Sequence, residues 1–383
     1  MNETISRRVA RLQPSGIREF FDLVLGMRDV ISLGVGEPDF ATPWNIRETG
    51  IFSLEKGYTT YTSNKGLYKL RLQVSRFLGL RHNLNYDPEQ EILITVGVSQ
   101  ALDLAMRALV NPGENVLVPQ PGYVSYAPAV SLCGGRPKYI YLRREHGFKL
   151  RPRDLDAAID AKTRALILNY PANPTGASYT RAELEALKQV IVRRRIICVC
   201  DEIYDELTYD REHISLASLQ GAAKYTLYLN GFSKSYAMTG WRVGYACGPR
   251  EIIAAMTKIH QYTMLCAPTI SQFAGCEALQ AAGRDVAAMR REYRRRREFV
   301  VAELNRIGLG CVMPEGAFYA FPEVKGAGYT SLGFAQGLLK KEKVAVVPGT
   351  AFGKNGEGYV RIAYAATMDN LKDALARIER FCR

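Results

Sequence analysis

A loop rich in small residues joins two strand-like runs of the sequence, and it reads NGFSKSYAMTGWRVGY at residues 230–245. One apolar run, residues 225–229, precedes the loop, and a second, residues 243–247, ends it. The loop carries Lys234 and, eight positions later, Arg242. A lysine in a tight, partly desolvated loop can have a lowered pKa, and its neutral amine can form a Schiff base with an aldehyde.

Arg242 adds a second kind of chemistry to the same loop. Its planar guanidinium offers two parallel N–H donors that suit a phosphate group. An aldehyde and a phosphate on one small molecule describe pyridoxal 5′-phosphate, so the loop predicts a site for this cofactor. The alternative interpretation is a surface turn with two solvated cations, because short motifs also match by chance.

The composition indicates a large globular protein. The chain has 383 residues, of which 47% are hydrophobic and 23% charged, and this length suits two domains. No apolar run approaches the roughly 18 residues of a membrane span, and residues 1–12 lack the apolar core of a secretory signal. The eight cysteines form no Cys-x-x-Cys pair and the four histidines are scattered, so we expect a reducing cytoplasm and no metal site.

The net charge of +13 raises the question of a nucleic-acid partner. The densest basic run, residues 290–297, lies in a helical pattern and is interleaved with Glu292 and followed by Glu298. Such a run is typical of a solvated helix face, and a positive field also suits an anionic cofactor and substrate. We therefore expect small-molecule substrates, without nucleic acid or membrane as partners.

Strand-like and helix-like runs alternate from about residue 92 onward. Before them, the spacing of Phe20, Phe21, Val24 and Leu25 predicts an amphipathic helix within residues 1–30. We predict strands at residues 92–96, 115–118, 136–142, 165–168 and 196–200, and helices at 100–109 and 183–192. A long charged helix from about residue 281 leads to strands at 318–321, 344–347 and 359–363 and a helix at 370–380. This alternation indicates an α/β fold with a largely parallel sheet, in which ligands bind at the carboxyl ends of strands.

Residues suited to hold the cofactor ring follow two of these strands. Asp201 comes directly after an apolar strand, where its carboxylate can pair with a protonated pyridine nitrogen. Tyr204, three positions after Asp201, can donate a hydrogen bond to the phenolic oxygen of the ring. Asn173 lies in a turn with two prolines, and its amide can donate to the same oxygen. The alternatives are a helix cap at Asp201 and an ordinary Asn-Pro turn.

Two more strand ends offer a phosphate site and an aromatic face. Gly97 links a strand to a helix whose first N–H groups, with Val98 and the hydroxyl of Ser99, suit a phosphate. Tyr123 follows the next strand and can stack on a flat heterocycle. An ordinary strand-to-helix turn and core packing are the alternatives for these residues.

A carboxylate clamp is predicted in the second set of strands. Arg361 lies between two apolar residues that point to the opposite face of its strand, so its fork can face a cleft and bind a carboxylate. The Gly-rich turn at residues 34–40 lets a ligand approach the backbone closely at Gly36. A buried structural ion pair is the competing interpretation for Arg361.

Taken together, these motifs resemble those of the class I pyridoxal-phosphate-dependent aminotransferases of fold type I, in the aspartate and aromatic-amino-acid aminotransferase subgroup. The resemblance covers essentially the whole chain. The matching motifs are GEPDF at 36–40, Tyr61 with Gly66 and Leu70-Arg71, NPTG at 173–176, DEIY at 201–204, Ser233-Lys234 through Arg242, and Arg361.

The resemblance implies a fold and a role for each residue. It implies a large domain, residues 43–280, with a mostly parallel seven-stranded sheet covered by helices, and a smaller α/β domain, residues 1–42 and 281–383. Lys234 would form the Schiff base and carry the proton, and Tyr61 would reach the phosphate of the neighbouring subunit in a homodimer. The cofactor ring would be held by Asp201, Tyr204, Asn173 and Tyr123. The phosphate would be held by Gly97, Val98, Ser99, Ser233 and Arg242. The substrate would be held by Gly36, Tyr123, Asn173 and Arg361.

One position departs from the family pattern, because many relatives carry a hydroxyl residue where this chain has Gly231. The implied reaction moves an amino group from an L-amino acid, aromatic or acidic, to a 2-oxo acid such as 2-oxoglutarate. A lyase that breaks a Cβ–S bond or closes a cyclopropane ring on the same fold is the alternative. A DNA-binding regulator is disfavoured, because only about 30 residues precede the first core strand. Tyr126, Tyr262, Tyr319 and Phe321 could line an aromatic pocket or belong to the core.

Overall fold

A computed structural model describes residues 4–12, 14, 27 and 29–383. The helix predicted around Phe20, Phe21, Val24 and Leu25 lies outside the described residues. The strands are β1 (Ile31–Ser32), β2 (Ile92–Thr95), β3 (Asn115–Gln120), β4 (Arg136–Tyr141), β5 (Thr163–Asn169), β6 (Ile197–Asp201), β7 (Thr226–Gly231), β8 (Gly244–Cys247), β9 (Tyr319–Ala320), β10 (Val344–Ala345), β11 (Val347–Pro348) and β12 (Val360–Ala363).

The helices alternate with the strands of the large sheet and follow one another in the last third of the chain. They are α1 (Arg7–Ala10), α2 (Trp44–Glu55), α3 (Tyr68–His82), α4 (Gly97–Leu109), α5 (Tyr126–Leu132), α6 (Pro152–Ala158), α7 (Arg181–Arg194), α8 (Arg250–Thr263), α9 (Thr269–Ala281), α10 (Gly283–Ile307), α11 (Ser331–Glu342) and α12 (Met368–Cys382). None of these helices is long and apolar enough to cross a membrane.

Seven strands form the large sheet in the order β2-β8-β7-β6-β5-β3-β4. Only β8 runs against its neighbours, so the other six strands point in one direction, and the predicted mostly parallel sheet is confirmed. Neighbouring residues of β5 show why its sequence is continuously apolar. Leu166 packs in a cluster with Leu187 of α7 on one face, and Ile167 packs in a cluster with Met106 of α4 on the other.

Two smaller sheets are built mainly from strands that follow the long helix α10. β11, β12 and β9 form an antiparallel sheet, and β1 pairs in parallel with β10. The single strand predicted at residues 344–347 is therefore wrong, since the chain changes partners at Val346 between β10 and β11. An apolar run that is buried throughout does not reveal such a change of sheet. The division into residues 43–280 and residues 1–42 with 281–383 stays a prediction.

Candidate active site

Predicted site residues that follow five strands of the large sheet lie at one edge of that sheet. β2, β3, β5, β6 and β7 point in the same direction, and their carboxyl ends lie at this edge. β8 runs the other way, so the loop that enters it brings Arg242 to the same edge. This arrangement places the residues that follow five separate strands around one space, as the alternating pattern predicts.

Lys234 lies in the loop after β7 with its amine largely shielded from water. Its Nζ donates a hydrogen bond of 2.6 Å to the carbonyl oxygen of Gly36. Burial lowers the pKa of the Lys234 amine to about 8, with further lowering by Arg361 and Arg242 and opposition from Glu37 and Asp201. With this pKa, about a tenth of the amine is neutral at pH 7 and about half at pH 8, and the neutral amine is the state that attacks an aldehyde.

Asp201 is the last residue of β6, and its carboxylate is buried at the edge of the sheet where the site residues lie. The hydroxyl of Tyr126 donates to Asp201 Oδ2 at 2.8 Å, and the N–H of Ile203 lies 3.3 Å from Oδ1. Burial raises the pKa of Asp201 to about 6, although both hydrogen bonds and Lys234 act in the opposite direction. A buried carboxylate with few partners favours a cationic ligand atom, such as a protonated pyridine nitrogen.

Arg361 is only 2% exposed, yet it forms no ion pair with a carboxylate among the described residues. Its Nη1 donates to Asn173 Oδ1 at 3.0 Å, and its Nη2 donates to the carbonyl of Gly34 at 2.5 Å. Its Nε, also buried, has no hydrogen-bond acceptor. Burial lowers the pKa of this guanidinium from its usual value. A buried cation with a free donor and neutral partners suits a ligand carboxylate, so the alternative of a structural ion pair is not supported.

Arg242 and Gly97 form a close cradle at the start of α4. A Cβ at Gly97 would lie 2.7 Å from Arg242 Nη2, and the φ of Gly97, +73°, also disfavours a side chain. Arg242 has a positive φ of 53°, and its Nη1 donates to the carbonyl of Thr239 at 2.9 Å. The guanidinium therefore faces the backbone at the N-terminus of α4, and a guanidinium beside a helix N-terminus is an arrangement that binds phosphate.

Close backbone packing between β7 and β8 accounts for the glycine at position 231. A Cβ at Gly231 would lie 2.8 Å from the Cα of Gly244 and 3.1 Å from the carbonyl oxygen of Val243. A Cβ at Gly244 would in turn lie 2.9 Å from the N of Val98. The facing glycines let β7 and β8 approach each other and the start of α4, and a hydroxyl side chain does not fit there.

The remaining predicted residues differ in exposure. Tyr204 is buried, and its hydroxyl lies 2.9 Å from that of Tyr319. Tyr123 is half-buried beside the Tyr126 ring, Ser233 is buried and Ser99 is exposed. Tyr61 is 80% exposed in the single chain.

The four aromatic residues without an assigned place separate into two groups. Tyr126 contacts Asp201, and the Tyr319 ring lies 4.5 Å from the Arg361 guanidinium, so both border the site. Tyr262 is 84% exposed on α8, and Phe321 stacks on Tyr359 in the core. The hydroxyl bond from Tyr126 to Asp201 has no counterpart in the sequence prediction, because the two residues are 75 positions apart.

The closest group of metal-ligand atoms in the described residues is His82, Asp205 and Glu206. Its atoms are already engaged, since His82 Nε2 lies 3.0 Å from Asp205 Oδ2, and Glu206 forms a two-point ion pair with Arg81. The group is therefore accounted for as an ion-pair network.

The residues at this edge of the sheet fit pyridoxal 5′-phosphate. An amine of lowered pKa, a buried carboxylate and a guanidinium over a helix N-terminus correspond to its aldehyde, ring nitrogen and phosphate. The tight cradle at Gly97 leaves the backbone open to a ligand where any side chain would fill the space.

Comparisons with known proteins show the family of this chain. The sequence model of the family "Aminotransferase class I and II" matches residues 28–378. An aspartate aminotransferase of Pyrococcus abyssi is 44% identical over 99% of this chain and 98% of its own length. Aromatic-amino-acid aminotransferase 2 of Thermococcus litoralis is 42% identical over 98% of this chain and 97% of its own.

A solved structure extends the agreement to the fold. The aspartate aminotransferase from Thermus thermophilus, determined with maleate, has a TM-score of 0.94 at 38% identity and covers 98% of this chain and 99% of that one. These findings confirm the predicted fold type, cofactor and reaction class, and they favour an aminotransferase over a lyase. The chain belongs to the class I and II aminotransferases and is a pyridoxal-5′-phosphate-dependent enzyme.

Proposed function

We propose that this enzyme transfers the amino group of an aromatic or acidic L-amino acid to a 2-oxo acid such as 2-oxoglutarate. The observation that carries the proposal is the buried Arg361, which lacks a carboxylate partner among the described residues and acts electrostatically on the amine of Lys234. Amino acids and 2-oxo acids share an α-carboxylate, so one guanidinium can hold both. The aspartate and aromatic specificities of the relatives support the choice of donors.

Five residues would hold the phosphate of the cofactor. Arg242 would supply charge, and the backbone of Gly97 and Val98 would supply the open N-terminus of α4. Ser99 and Ser233 would add hydroxyl groups, with Ser233 in the same loop as Lys234. Gly231 leaves no room for another hydroxyl, so the phosphate would depend more on Arg242 than in relatives with a hydroxyl at that position.

Asp201, Tyr204, Asn173 and Tyr123 would hold the ring. When bound, pyridoxal phosphate supplies an aldehyde that condenses with amines and a pyridine ring that withdraws electrons from the substrate Cα. Asp201 would keep the proton on the ring nitrogen, and the Tyr126 hydroxyl would keep Asp201 ionised. Tyr204 and Asn173 would donate to the phenolic oxygen, and the Tyr123 ring would lie against the face of the cofactor.

Lys234 would link the cofactor covalently and then move a proton at the substrate Cα. Its lowered pKa matches this work, because a general base functions best when its pKa lies near the working pH. Arg361 and Asn173 would bind the α-carboxylate, with the backbone of Gly36 and the ring of Tyr123 closing the space above it.

We further propose a homodimer in which Tyr61 reaches the phosphate of the neighbouring subunit. Its 80% exposure in the single chain leaves the tyrosine free for such a contact. Trp44, Phe52 and Leu54 of α2 are also at least 49% exposed, an unusual apolar content for a free helix face. The two-domain division and the cytoplasmic location belong to this proposal as well.

A panel of amino donors with 2-oxoglutarate tests the proposed reaction. We expect aspartate or an aromatic amino acid to change the cofactor absorbance and 2-oxoglutarate to reverse the change. Arg361→Lys serves as the matched variant, because it should weaken every donor while the cofactor remains bound. Release of ammonia and pyruvate without reversal by 2-oxoglutarate would contradict the proposal.

A further inference from the structure

The segment at residues 34–40 covers the amine of Lys234 without backbone N–H hydrogen bonds of its own. In the part of the chain that the structure describes, none of its N–H groups donates to a protein acceptor. Two of its carbonyls instead accept from the site, Gly36 from Lys234 and Gly34 from Arg361. The position of the segment therefore depends on its ends and on its side chains.

Asp39 is the side chain that fixes the segment to the long helix α10. Both of its carboxylate oxygens lie 2.8 Å from Nη1 of Arg296, and the Tyr293 hydroxyl donates to Oδ1 at 3.2 Å. Arg296 is 5% exposed and also bonds Glu292 at 2.9 Å. Because the Arg296 side chain is buried and the Asp39 side chain is 20% exposed, water screens this ion pair less than it screens a pair on the open surface.

Aromatic rings enclose the same ion pair. The Arg296 guanidinium lies 5.2 Å from the Phe40 ring and 5.5 Å from the Tyr293 ring, and those rings meet edge to face. Phe40 follows Asp39 directly, so two consecutive residues of the segment bind one arginine. The rings shield the Arg296 guanidinium from water and add an attraction between the cation and the ring faces.

Resting on the proposed function, we propose that Asp39 and Arg296 are positioning residues that hold the 34–40 segment closed over Lys234 and Arg361. The Asp39 carboxylate does not touch either of these cations. It acts through the backbone of the segment, which places the Gly36 carbonyl on the Lys234 amine and the Gly34 carbonyl on the Arg361 guanidinium. Substrate carboxylates would then meet an Arg361 that is already oriented.

A matched ion pair one residue further along α10 provides the control. Arg297 bonds Asp210 at 2.7 and 3.3 Å and lies 4.8 Å from the Tyr209 ring. Asp210 also bonds Arg294 at 2.9 Å, and the pair joins α10 to the chain after β6 and not to the 34–40 segment. Asp39→Asn and Asp210→Asn therefore remove the same charge from neighbouring arginines, with different predicted consequences.

The first measurement is steady-state kinetics of the holoenzyme. We expect Asp39→Asn to raise KM for donor and 2-oxo acid about tenfold with kcat within about threefold, as expected when a binding geometry is lost. Asp210→Asn should leave both KM values within about twofold of the wild type. Arg296→Lys, which keeps the charge but loses the fork, should fall between Asp39→Asn and the wild type. Equal KM changes in Asp39→Asn and Asp210→Asn would overturn the proposal.

Hydroxyl-radical footprinting of the holoenzyme gives a measurement that does not depend on turnover. Tyr319 is 1% exposed, and its hydroxyl lies 2.7 Å from the position of a Cβ on Gly36, so the segment shields it. Oxidation of Tyr319 should rise several-fold in Asp39→Asn and stay unchanged in Asp210→Asn. Unchanged oxidation in both variants would refute the closure role, whereas absence of transamination in the wild type would refute the proposed function alone.

Discussion

Replacing Tyr126 with Phe isolates the hydrogen bond that supports Asp201. The bond is 2.8 Å long and buried, and its acceptor is a carboxylate whose pKa is already raised to about 6 by burial. A hydrogen bond to a charged group is worth about 1.5–3 kcal/mol, and each pKa unit corresponds to about 1.4 kcal/mol. Loss of the bond should therefore raise the pKa of Asp201 by about one to two further units, to about 7–8.

The sign of this change determines how cofactor affinity varies with pH. A protonated Asp201 cannot hold a cationic pyridine nitrogen, so affinity should fall as the pH drops through the pKa of Asp201. In the cofactor-free wild type this loss should begin near pH 6, and in Tyr126→Phe it should begin about one to two pH units higher. Spectroscopic titration of the cofactor-free protein with pyridoxal phosphate, repeated from pH 5 to 9, measures cofactor affinity as a function of pH. The fall in affinity on the acid side of this profile, the acid limb, gives the change directly.

Tyr123→Phe is the matched control, because it removes the hydroxyl of the adjacent tyrosine, which is not bonded to Asp201 in the described structure. Its acid limb should coincide with that of the wild type. The Lys234 amine, with a pKa of about 8, affects all three proteins alike and favours cofactor binding as the pH rises. An acid limb in Tyr126→Phe that coincides with the wild-type limb would refute the role given to this bond.

Three further substitutions test the site. Asp201→Asn should retain some cofactor but lose about 10²–10³ in rate, and near-normal turnover would contradict its role. Arg361→Lys should lose about 2–3 kcal/mol in kcat/KM with every donor, and a loss confined to acidic donors would show that Arg361 binds the side chain instead. Gly97→Ala should lower cofactor affinity at least about tenfold, because the new Cβ meets Arg242 at 2.7 Å. Gly113→Ala, at φ +87° with open space around it, should leave affinity unchanged.

The sequence predicts the site where its residues follow apolar strands directly. Asp201 ends β6 and Lys234 follows β7 by three residues, so a parallel sheet brings them to one edge whatever the exact packing. The sequence around Gly97 also sufficed to predict the start of a helix there, because a single glycine between a strand and a helix marks a helix N-terminus. These inferences need only strand order and direction.

Contacts between distant parts of the chain were beyond the sequence. Arg361 and Asn173 are 188 positions apart, and Arg296 and Asp39 are 257 apart. A single sequence carries no signal for such pairs, because each residue alone also suits a solvated surface. The reason for Gly231 is likewise three-dimensional, since it depends on the approach of Gly244 from the neighbouring strand.

Reduction of the holoenzyme with borohydride, followed by peptide mass spectrometry, tests the assignment of Lys234 most directly. Reduction fixes a Schiff base as a stable bond and thereby marks the lysine that forms it. We predict the added mass of the reduced cofactor on the peptide that contains Lys234, and no such mass in Lys234→Ala. A cofactor adduct on another lysine of the wild type, with Lys234 unmodified, would contradict the assignment and the arrangement of the site built around it.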